Sequence, residues 1–311
     1  MPQLRSSRES KAGGVGKIAG AKQVYSLIRG MSIEEIEESV RQPPRILVVS
    51  RTNTVDDLIE DLTGVRGTPS IVKTTPANLP KDLQQFDVIL VDNPDSNADY
   101  LEVQAAAGPA AWRTFDIGPA QDKNRIPVLR ERITDYAGDG AVALGRWYPG
   151  LRSAAARSVI NGASRSNAQF ALLASAPSVV PMIGSIASAG ADIIVLTKNQ
   201  LTMAIKLAAI YGKPLNNKWD IFRDLMPVVG AGFMWRSVAR EAIGFLPFAA
   251  GTIPKVAIAY AGTYSTGKAV EAHFRFNITP SKDQIAGWYR QALATARLRF
   301  PDMPELPRRS A

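Results

Sequence analysis

The alternation of apolar and polar positions divides the chain into a front part of strands and helices and a back part of helices. An apolar run at 45–49 predicts a buried parallel strand, and three further strands are predicted at 70–72, 86–91 and 114–117. Apolar residues at helical spacing occupy the intervals 53–63 and 98–107. Strands and helices that alternate in this way predict a small doubly wound sheet.

From residue 126 onward the spacing of apolar positions is helical. Amphipathic stretches predict four helices, at 126–136, 145–160, 192–211 and 281–300. Ser281 and Gln284 have the spacing of a capping box at the start of the last one. Two further stretches are mostly apolar: 170–191 holds 22 residues without a charge, and 225–264 is interrupted by prolines. The expected fold class is therefore α/β plus all-α, a doubly wound sheet followed by an apolar helical domain.

Composition and turn residues suggest four parts of the chain. Residues 1–30 are rich in Gly, Ser, Lys and Arg and are predicted to be a flexible basic tail. The α/β domain is expected at 31–140, the helical domain at 141–278, and a C-terminal amphipathic helix with its tail at 279–311.

The residue types present in the chain exclude several kinds of catalytic and metal site. The 311 residues include no Cys and one His, His273. The lack of Cys excludes disulfides, thiolate metal sites and cysteine nucleophiles, and one His leaves a single candidate base. We predict no metal site, no cofactor and no catalytic residue. The chain begins without an apolar signal segment, which predicts a cytoplasmic protein.

Charge is distributed unevenly. Residues 44–140 carry 10 basic and 15 acidic groups, whereas residues 141–311 carry 20 and 8, a net +12. A basic, apolar second half indicates contact with an anionic surface, either membrane phospholipid or nucleic acid. Four arginines near the apolar stretch 170–191 are the candidate membrane-surface residues: Arg146, Arg152, Arg157 and Arg165. Insertion of 170–191 into a bilayer and its burial in a soluble helical core both remain open.

Two segments of the front half resemble nucleotide-binding elements. Residues 51–64, which directly follow a predicted strand, resemble the phosphate-binding element of bacterial translation-factor-type small GTPases. Residues 91–95, Val-Asp-Asn-Pro-Asp, resemble the later Asp-Thr-Pro-Gly element of that class. The resemblance implies a GTPase-like domain.

The back half, over about 150–275, resembles the GTPase-associated domain of unknown function 697. The likeness is carried by 146–152 (Arg-Trp-Tyr-Pro-Gly-Leu-Arg), 168–181, 191–200, 206–212 and 259–264. It implies an apolar helical domain, often membrane-associated and linked to GTPase-type modules, without a known reaction.

The phosphate-binding element departs from its pattern at the positions that would contact the phosphates and magnesium. Such a loop needs Gly for close backbone approach, Lys for the phosphates and Ser or Thr for magnesium. The matching positions here are Val55, Asp56 and Asp57. A carboxylate at about 4 Å from a phosphate charge costs roughly 1 kcal/mol in water and roughly 4 at an effective dielectric of about 20. The expected site is a vestigial nucleotide site of Asn53, Asp56, Asp57 and Asp92.

A second string, Gly262–Ala269, fits Gly-x-x-x-x-Gly-Lys. Ala269 lacks the hydroxyl that would hold magnesium, and the surrounding pattern is helical, which favours close helix packing over phosphate binding.

Three functions from different classes follow. The first is a non-catalytic, membrane-associated GTPase-like scaffold or regulatory protein with an unidentified protein partner. The second is a working GTP-binding switch with an atypical phosphate site. The third is a soluble nucleic-acid-binding protein, suggested by the calculated pI of 9.8 and disfavoured by the lack of a nucleic-acid fold motif. The oligomeric state is open.

Overall fold

The computed structural model describes residues 26–52, 55–92, 98–119, 122–173, 189–217, 219–225 and 252–299. The strands are β1 (Ile46–Val49), β2 (Ile71–Thr74), β3 (Val88–Val91) and β4 (Thr114–Asp116). The helices are α1 (Glu34–Ser39), α2 (Val55–Thr63), α3 (Ala98–Ala107), α4 (Arg125–Ala137), α5 (Ala141–Trp147), α6 (Arg152–Leu173), α7 (Ala189–Ile210), α8 (Thr252–Phe276) and α9 (Lys282–Arg299).

The four strands form one parallel sheet in the order β2-β1-β3-β4. β1 lies at the centre, where Ile46 is paired with Ile71 on one side and Val88 on the other. All four residues of β1 and of β3 are buried, because a parallel sheet is covered on both faces. The prediction of a small parallel sheet joined to helices is confirmed.

Each face of the sheet has its own core. Ile46 and Val48 face α2 and α4, together with Tyr148. Leu47 and Val49 face the opposite side, where α3 covers them. The alternation of neighbouring β1 residues between two helical layers gives a doubly wound arrangement.

The back half packs as a group of long helices. α8 lies along α6, α7 and α9, and the largest apolar cluster joins α5, α6, α7, α8 and α9. Gly267 makes close packing possible, because a Cβ there would lie 2.8 Å from the Ile160 side chain of α6. The capping box of α9 is confirmed: Ser281 N donates to Gln284 Oε1 at 2.8 Å, and Gln284 N donates to Ser281 Oγ at 3.2 Å.

Two boundaries differ from the prediction. The single helix predicted over 145–160 is wrong: α5 ends at Trp147, a turn spans Pro149–Leu151, and α6 begins at Arg152. Pro149 has no N–H to donate and holds the preceding residue in an extended conformation, which ends the helix. Residues 26–30 are helical and Ile28 is buried, so these residues belong to the fold and not to a flexible tail.

Several predicted features lie outside the described residues. They are the tail at 1–25, the middle of the stretch 170–191, and residues 226–251. Among the helices of the described ranges, none has the length and apolar character needed to cross a bilayer.

The turn Pro149–Leu151 joins the two halves. Tyr148, just before it, is 1 % exposed; its hydroxyl donates to the carbonyl of Pro44 and lies 3.0 Å from Ser70 Oγ. Burial raises the pKa of Tyr148, so the hydroxyl remains a donor at neutral pH. Tyr148 therefore fixes this end of α5 against the residues that precede β1 and β2.

Candidate site at the carboxyl ends of the central strands

The candidate site lies where β1 and β3 end side by side. In an open parallel sheet, ligands bind outside the carboxyl ends of the strands, at the point where the strand order reverses. In the order β2-β1-β3-β4 that point lies between β1 and β3. Ser50 follows β1 and Asp92 follows β3, so the fold brings these two side chains together.

Asp92 is engaged by hydroxyls of the chain itself. The carboxylate, in a residue 9 % exposed, accepts hydrogen bonds from Ser50 Oγ at 2.8 Å and Thr52 Oγ1 at 3.2 Å. The N–H of Thr52 donates to Ser50 Oγ at 3.0 Å, which closes a small network. The polar groups at this edge therefore bond to one another.

An ion pair continues the network beside it. Arg51 donates through Nε and Nη2 to the two carboxylate oxygens of Asp99 at 2.6 and 2.7 Å. Asp99 is buried in the first turn of α3, and hydrogen bonding from Arg51 lowers the pKa of its carboxyl. This fork-to-fork pair ties the segment after β1 to α3.

Asp56 and Asp57 point to different partners. Asp56 pairs with Lys73 of β2 at 2.7 Å, and Asp57 pairs with Arg66 beyond the end of α2. In the described part of the chain, neither carboxylate hydrogen-bonds to the Asp92 network. Asn53 lies outside the described residues. Of the three predicted site residues that the structure describes, Asp92 is placed at the centre of the candidate site, and Asp56 and Asp57 are not.

Ser50, Arg51, Thr52 and Asp99 were not singled out from the sequence. A usable signal existed for Ser50: it follows the last apolar residue of a buried strand, as Asp92 does. Asp99 carried no such signal, because its partner lies 48 residues earlier in the chain.

The predicted membrane-surface arginines have different environments. Arg146 donates to the carbonyls of Ala209 and Lys213 at 3.1 and 3.0 Å, and Arg152 donates to that of Gly145 at 3.3 Å. Arg157 is exposed and pairs with Glu131, while Arg165 is exposed on α6. Arg146 and Arg152 thus hold helix ends, which leaves Arg157 and Arg165 as the two most available to a surface.

The phosphate-loop-like string Gly262–Ala269 lies inside the continuous helix α8. Lys268 pairs with Glu271, and the Ser265 hydroxyl donates to the carbonyl of Ala261 at 2.7 Å. Its small residues serve helix packing, as expected. His273 lies near the end of α8 against Phe274, with ring centroids 5.6 Å apart. Within the described residues, no group of three His, Asp or Glu side chains is placed to hold a metal ion.

Comparison with known proteins gives no relative for this chain. No family model matches the sequence, and no match was found among curated proteins or among solved structures. The function is therefore inferred from the residues and their contacts.

The Arg51–Asp99 pair predicts a pH-dependent stability. The pKa of Asp99 is lower in the folded chain than its ordinary value of 3.8. The ion pair therefore adds to the free energy of unfolding above pH 3.8, and this stabilisation is lost as pH falls through the lowered pKa. We expect Arg51→Gln to lower Tm by a few degrees at pH 7, and the difference from wild type to shrink at pH 3. Circular dichroism melts at both pH values measure this.

Arg41→Gln is the matched control, because Arg41 pairs with Glu38 and both side chains are about two-thirds exposed. An exposed pair of this kind contributes little. Equal effects of the two substitutions, or an Arg51→Gln effect independent of pH, contradict the prediction.

Proposed function

We propose that this protein is a non-catalytic scaffold that associates with anionic membranes. Its front half is proposed to be a GTPase-like domain that keeps the frame of a nucleotide site without the groups that hold phosphate. Its back half is proposed to be a helical domain of the GTPase-associated kind that contacts the lipid surface. The scaffold acts by bringing an unidentified protein partner to that surface.

The observation that carries the proposal is the internal bonding of Asp92. In a magnesium-nucleotide site, an acidic side chain after a central strand must face the metal or the phosphates. Here the hydroxyls of Ser50 and Thr52 both donate to Oδ2 of Asp92, so one of the two carboxylate oxygens serves the chain's own network. The beginning of α2, where a phosphate would meet backbone N–H groups, carries Asp56 and Asp57 in its first turn. These carboxylates pair with Lys73 and Arg66, and they stand where a phosphate loop has its lysine and its hydroxyl.

The frame itself favours a second candidate, a GTP-binding switch with an atypical site. Ser50, Thr52 and Asp92 lie at the strand ends where ligands of doubly wound sheets bind. Because the two hydroxyls donate to Oδ2, magnesium binding through Oδ1 of Asp92 would leave them in place. The scaffold is favoured because the start of α2 would still have Asp56 and Asp57 where a phosphate loop has its lysine and its hydroxyl.

The membrane half of the proposal is supported by charge. The segment 141–311 carries a net +12, and Arg157 and Arg165 are exposed on one helix. Each basic side chain near an anionic bilayer contributes about 1 kcal/mol, and this attraction is screened by salt. We therefore assign Arg157 and Arg165 as the principal lipid-facing cations.

Flotation with vesicles tests the membrane half. We expect the intact chain to float with phosphatidylserine-containing vesicles at low salt, and not with pure phosphatidylcholine vesicles. Replacing both Arg157 and Arg165 by Gln is expected to weaken binding about 30-fold, because two contributions of about 1 kcal/mol are lost.

The control replaces Lys81 and Lys123, exposed cations of the front half, by Gln. It removes the same charge and is expected to leave flotation unchanged. A wild-type chain that stays in the soluble fraction at low salt, or a control that loses binding equally, rejects the proposed lipid contact.

A further inference from the structure

A polar cleft of about 520 Å³ lies between α6 and α7, beside the turn Gly138–Gly140. It is separate from the site at the strand ends. Seven polar side chains of the two helices line it: Ser158, Asn161, Arg165, Ser166, Asn199, Thr202 and Lys206. In small-molecule sites, convergent polar groups fix the orientation of the ligand.

Most of these side chains have open hydrogen-bonding capacity. Within the described residues, the side chains of Asn161, Arg165, Ser166 and Thr202 make no hydrogen bond or ion pair. Together they offer hydroxyl, amide and guanidinium groups to one volume, and these groups suit a ligand that carries several hydroxyls and an anion.

Ser158, Asn199 and Lys206 are the exceptions, and the bond of Asn199 ties it to the interior of the helical part. Its Nδ2 donates to Asn167 Oδ1 at 2.7 Å, and Asn167 Nδ2 donates to Thr263 Oγ1 at 2.8 Å. Asn167 and Thr263 are fully buried, so this chain of bonds fixes Asn199 from inside the bundle. The Asn199 carboxamide oxygen is left as an acceptor for a ligand hydroxyl.

The cleft is lined by two acidic and two basic side chains, Asp135, Asp139, Arg165 and Lys206, so a preference for an anion depends on Arg165. Among the described residues, Arg165 makes no ion pair. Lys206 pairs with Asp139 at 2.6 Å, but the Asp139 side chain is 93 % exposed, so water screens that pair. Asp135 lines the same cleft and can accept hydrogen bonds from hydroxyls.

Gly162 leaves the cleft open on the α6 side. It lies inside a 22-residue helix, where glycine is less favourable than alanine. A Cβ at this position would meet no heavy atom within 4 Å, so helix packing does not require glycine there. A larger side chain at this position would instead project into the cleft that Gly162 lines.

We propose that this cleft binds a phosphorylated polyol. Arg165 binds the phosphate, and the amide, hydroxyl and carboxylate groups of α6, α7 and Asp135 bind the hydroxyls. The same chemistry is presented by a free sugar phosphate and by an inositol phospholipid headgroup. Arg165 is also one of the two cations proposed to face lipid, and titration with a soluble sugar phosphate tests the cleft without a membrane.

Calorimetric titration of the intact chain with glucose 6-phosphate tests it. We expect saturable binding with Kd below about 1 mM. Arg165→Gln is expected to weaken binding at least tenfold, because it removes a charge-assisted bond to phosphate. Lys198→Gln, an exposed cation of α7 outside the cleft, is the matched control and is expected to leave Kd within twofold.

Gly162→Met separates binding from folding. Methionine favours the helix, so Tm should rise while the side chain fills the cleft and binding is lost. Gly287→Met, at another exposed helix position with open space around it, should also raise Tm and leave Kd unchanged. A Gly162→Met variant that gains stability and still binds overturns the proposal.

Vesicles distinguish the two sources of the ligand. Preference for phosphatidylinositol over phosphatidylserine vesicles at equal charge, lost in Arg165→Gln, identifies a lipid headgroup. Binding of glucose 6-phosphate without that preference identifies a free sugar phosphate. The proposal is overturned by the absence of both, or by inorganic phosphate binding as tightly as glucose 6-phosphate.

Discussion

Gly150→Ala is expected to lower the free energy of unfolding by about 3 kcal/mol, the upper end of the usual range for an added methylene group in a packed site. Gly150 lies in the turn between α5 and α6, against the last residues of α2. A Cβ there would lie 2.4 Å from the carbonyl oxygen of Leu62, 2.7 Å from the carbonyl carbon of Thr63 and 2.9 Å from the nitrogen of Gly64. All three are backbone atoms, so no side chain can rotate to make room.

The added methyl group of Gly150→Ala affects the packing between the two parts of the chain. Leu62, Thr63 and Leu151 around this point are almost completely buried, so the added methyl group forces the sheet part and the helical part to separate. Urea denaturation followed by circular dichroism measures the effect. Because the clash lies between the sheet part and the helical part, we expect the unfolding midpoints of both parts to shift to lower urea concentration together.

Gly287→Ala is the matched control. Gly287 lies inside α9, and a Cβ there would meet nothing within 4 Å. Alanine is about 1 kcal/mol more favourable than glycine in a helix interior, so this variant should be more stable than wild type. The same chemical change thus has opposite signs at the two positions. A Gly150→Ala variant as stable as wild type would show that the two halves do not meet at this turn.

Strands and amphipathic helices could be predicted because local pattern determines them. The strand predicted at 86–91 contains the continuous apolar run 88–91, which favours burial on both faces and is β3 in the structure. The helix predicted at 98–107 has the observed bounds of α3. The break at Pro149 was missed because apolar spacing continues across it, although proline cannot take its place inside a helix.

The buried stripe of α9 was predicted in part. The spacing of Ile285, Trp288, Ala292 and Ala296 predicts one apolar stripe on this helix. Ile285, Ala292 and Ala296 are buried, Trp288 is half-buried, and Tyr289 is buried as well. Burial raises the pKa of the Tyr289 hydroxyl to about 12. A tyrosine at this spacing fits either the core or the surface, and packing against α8 decides between them.

The candidate site could be predicted only at the position that strand geometry determines. Asp92 was found because it follows a buried strand. Its partner Ser50 lies 42 residues away, and only the pairing of β1 with β3 brings them together. Asp56 and Asp57 were grouped because they are neighbours in sequence, but successive helix residues are turned by about 100°, so they reach different cations.

The Asp92 network and the acidic start of α2 together predict a loss of nucleotide affinity. A functional phosphate loop combines backbone N–H groups, a lysine and magnesium around the phosphates. Here that helix end carries Asp56 and Asp57, paired with Lys73 and Arg66, in place of a lysine and a hydroxyl, and Oδ2 of Asp92 already accepts bonds from two hydroxyls. We expect the chain to bind magnesium-GTP at least about a thousandfold more weakly than a protein with a micromolar Kd, a difference of about 4 kcal/mol in binding free energy.

Calorimetric titration of the intact chain with GTP and magnesium tests whether the strand-end site binds nucleotide. We expect no saturable heat at nucleotide concentrations up to about 1 mM. An Asp92→Ala variant should behave in the same way, because wild type has no binding for it to lose. Micromolar binding by wild type that disappears in Asp92→Ala would instead establish a working nucleotide site and rule out the non-catalytic scaffold.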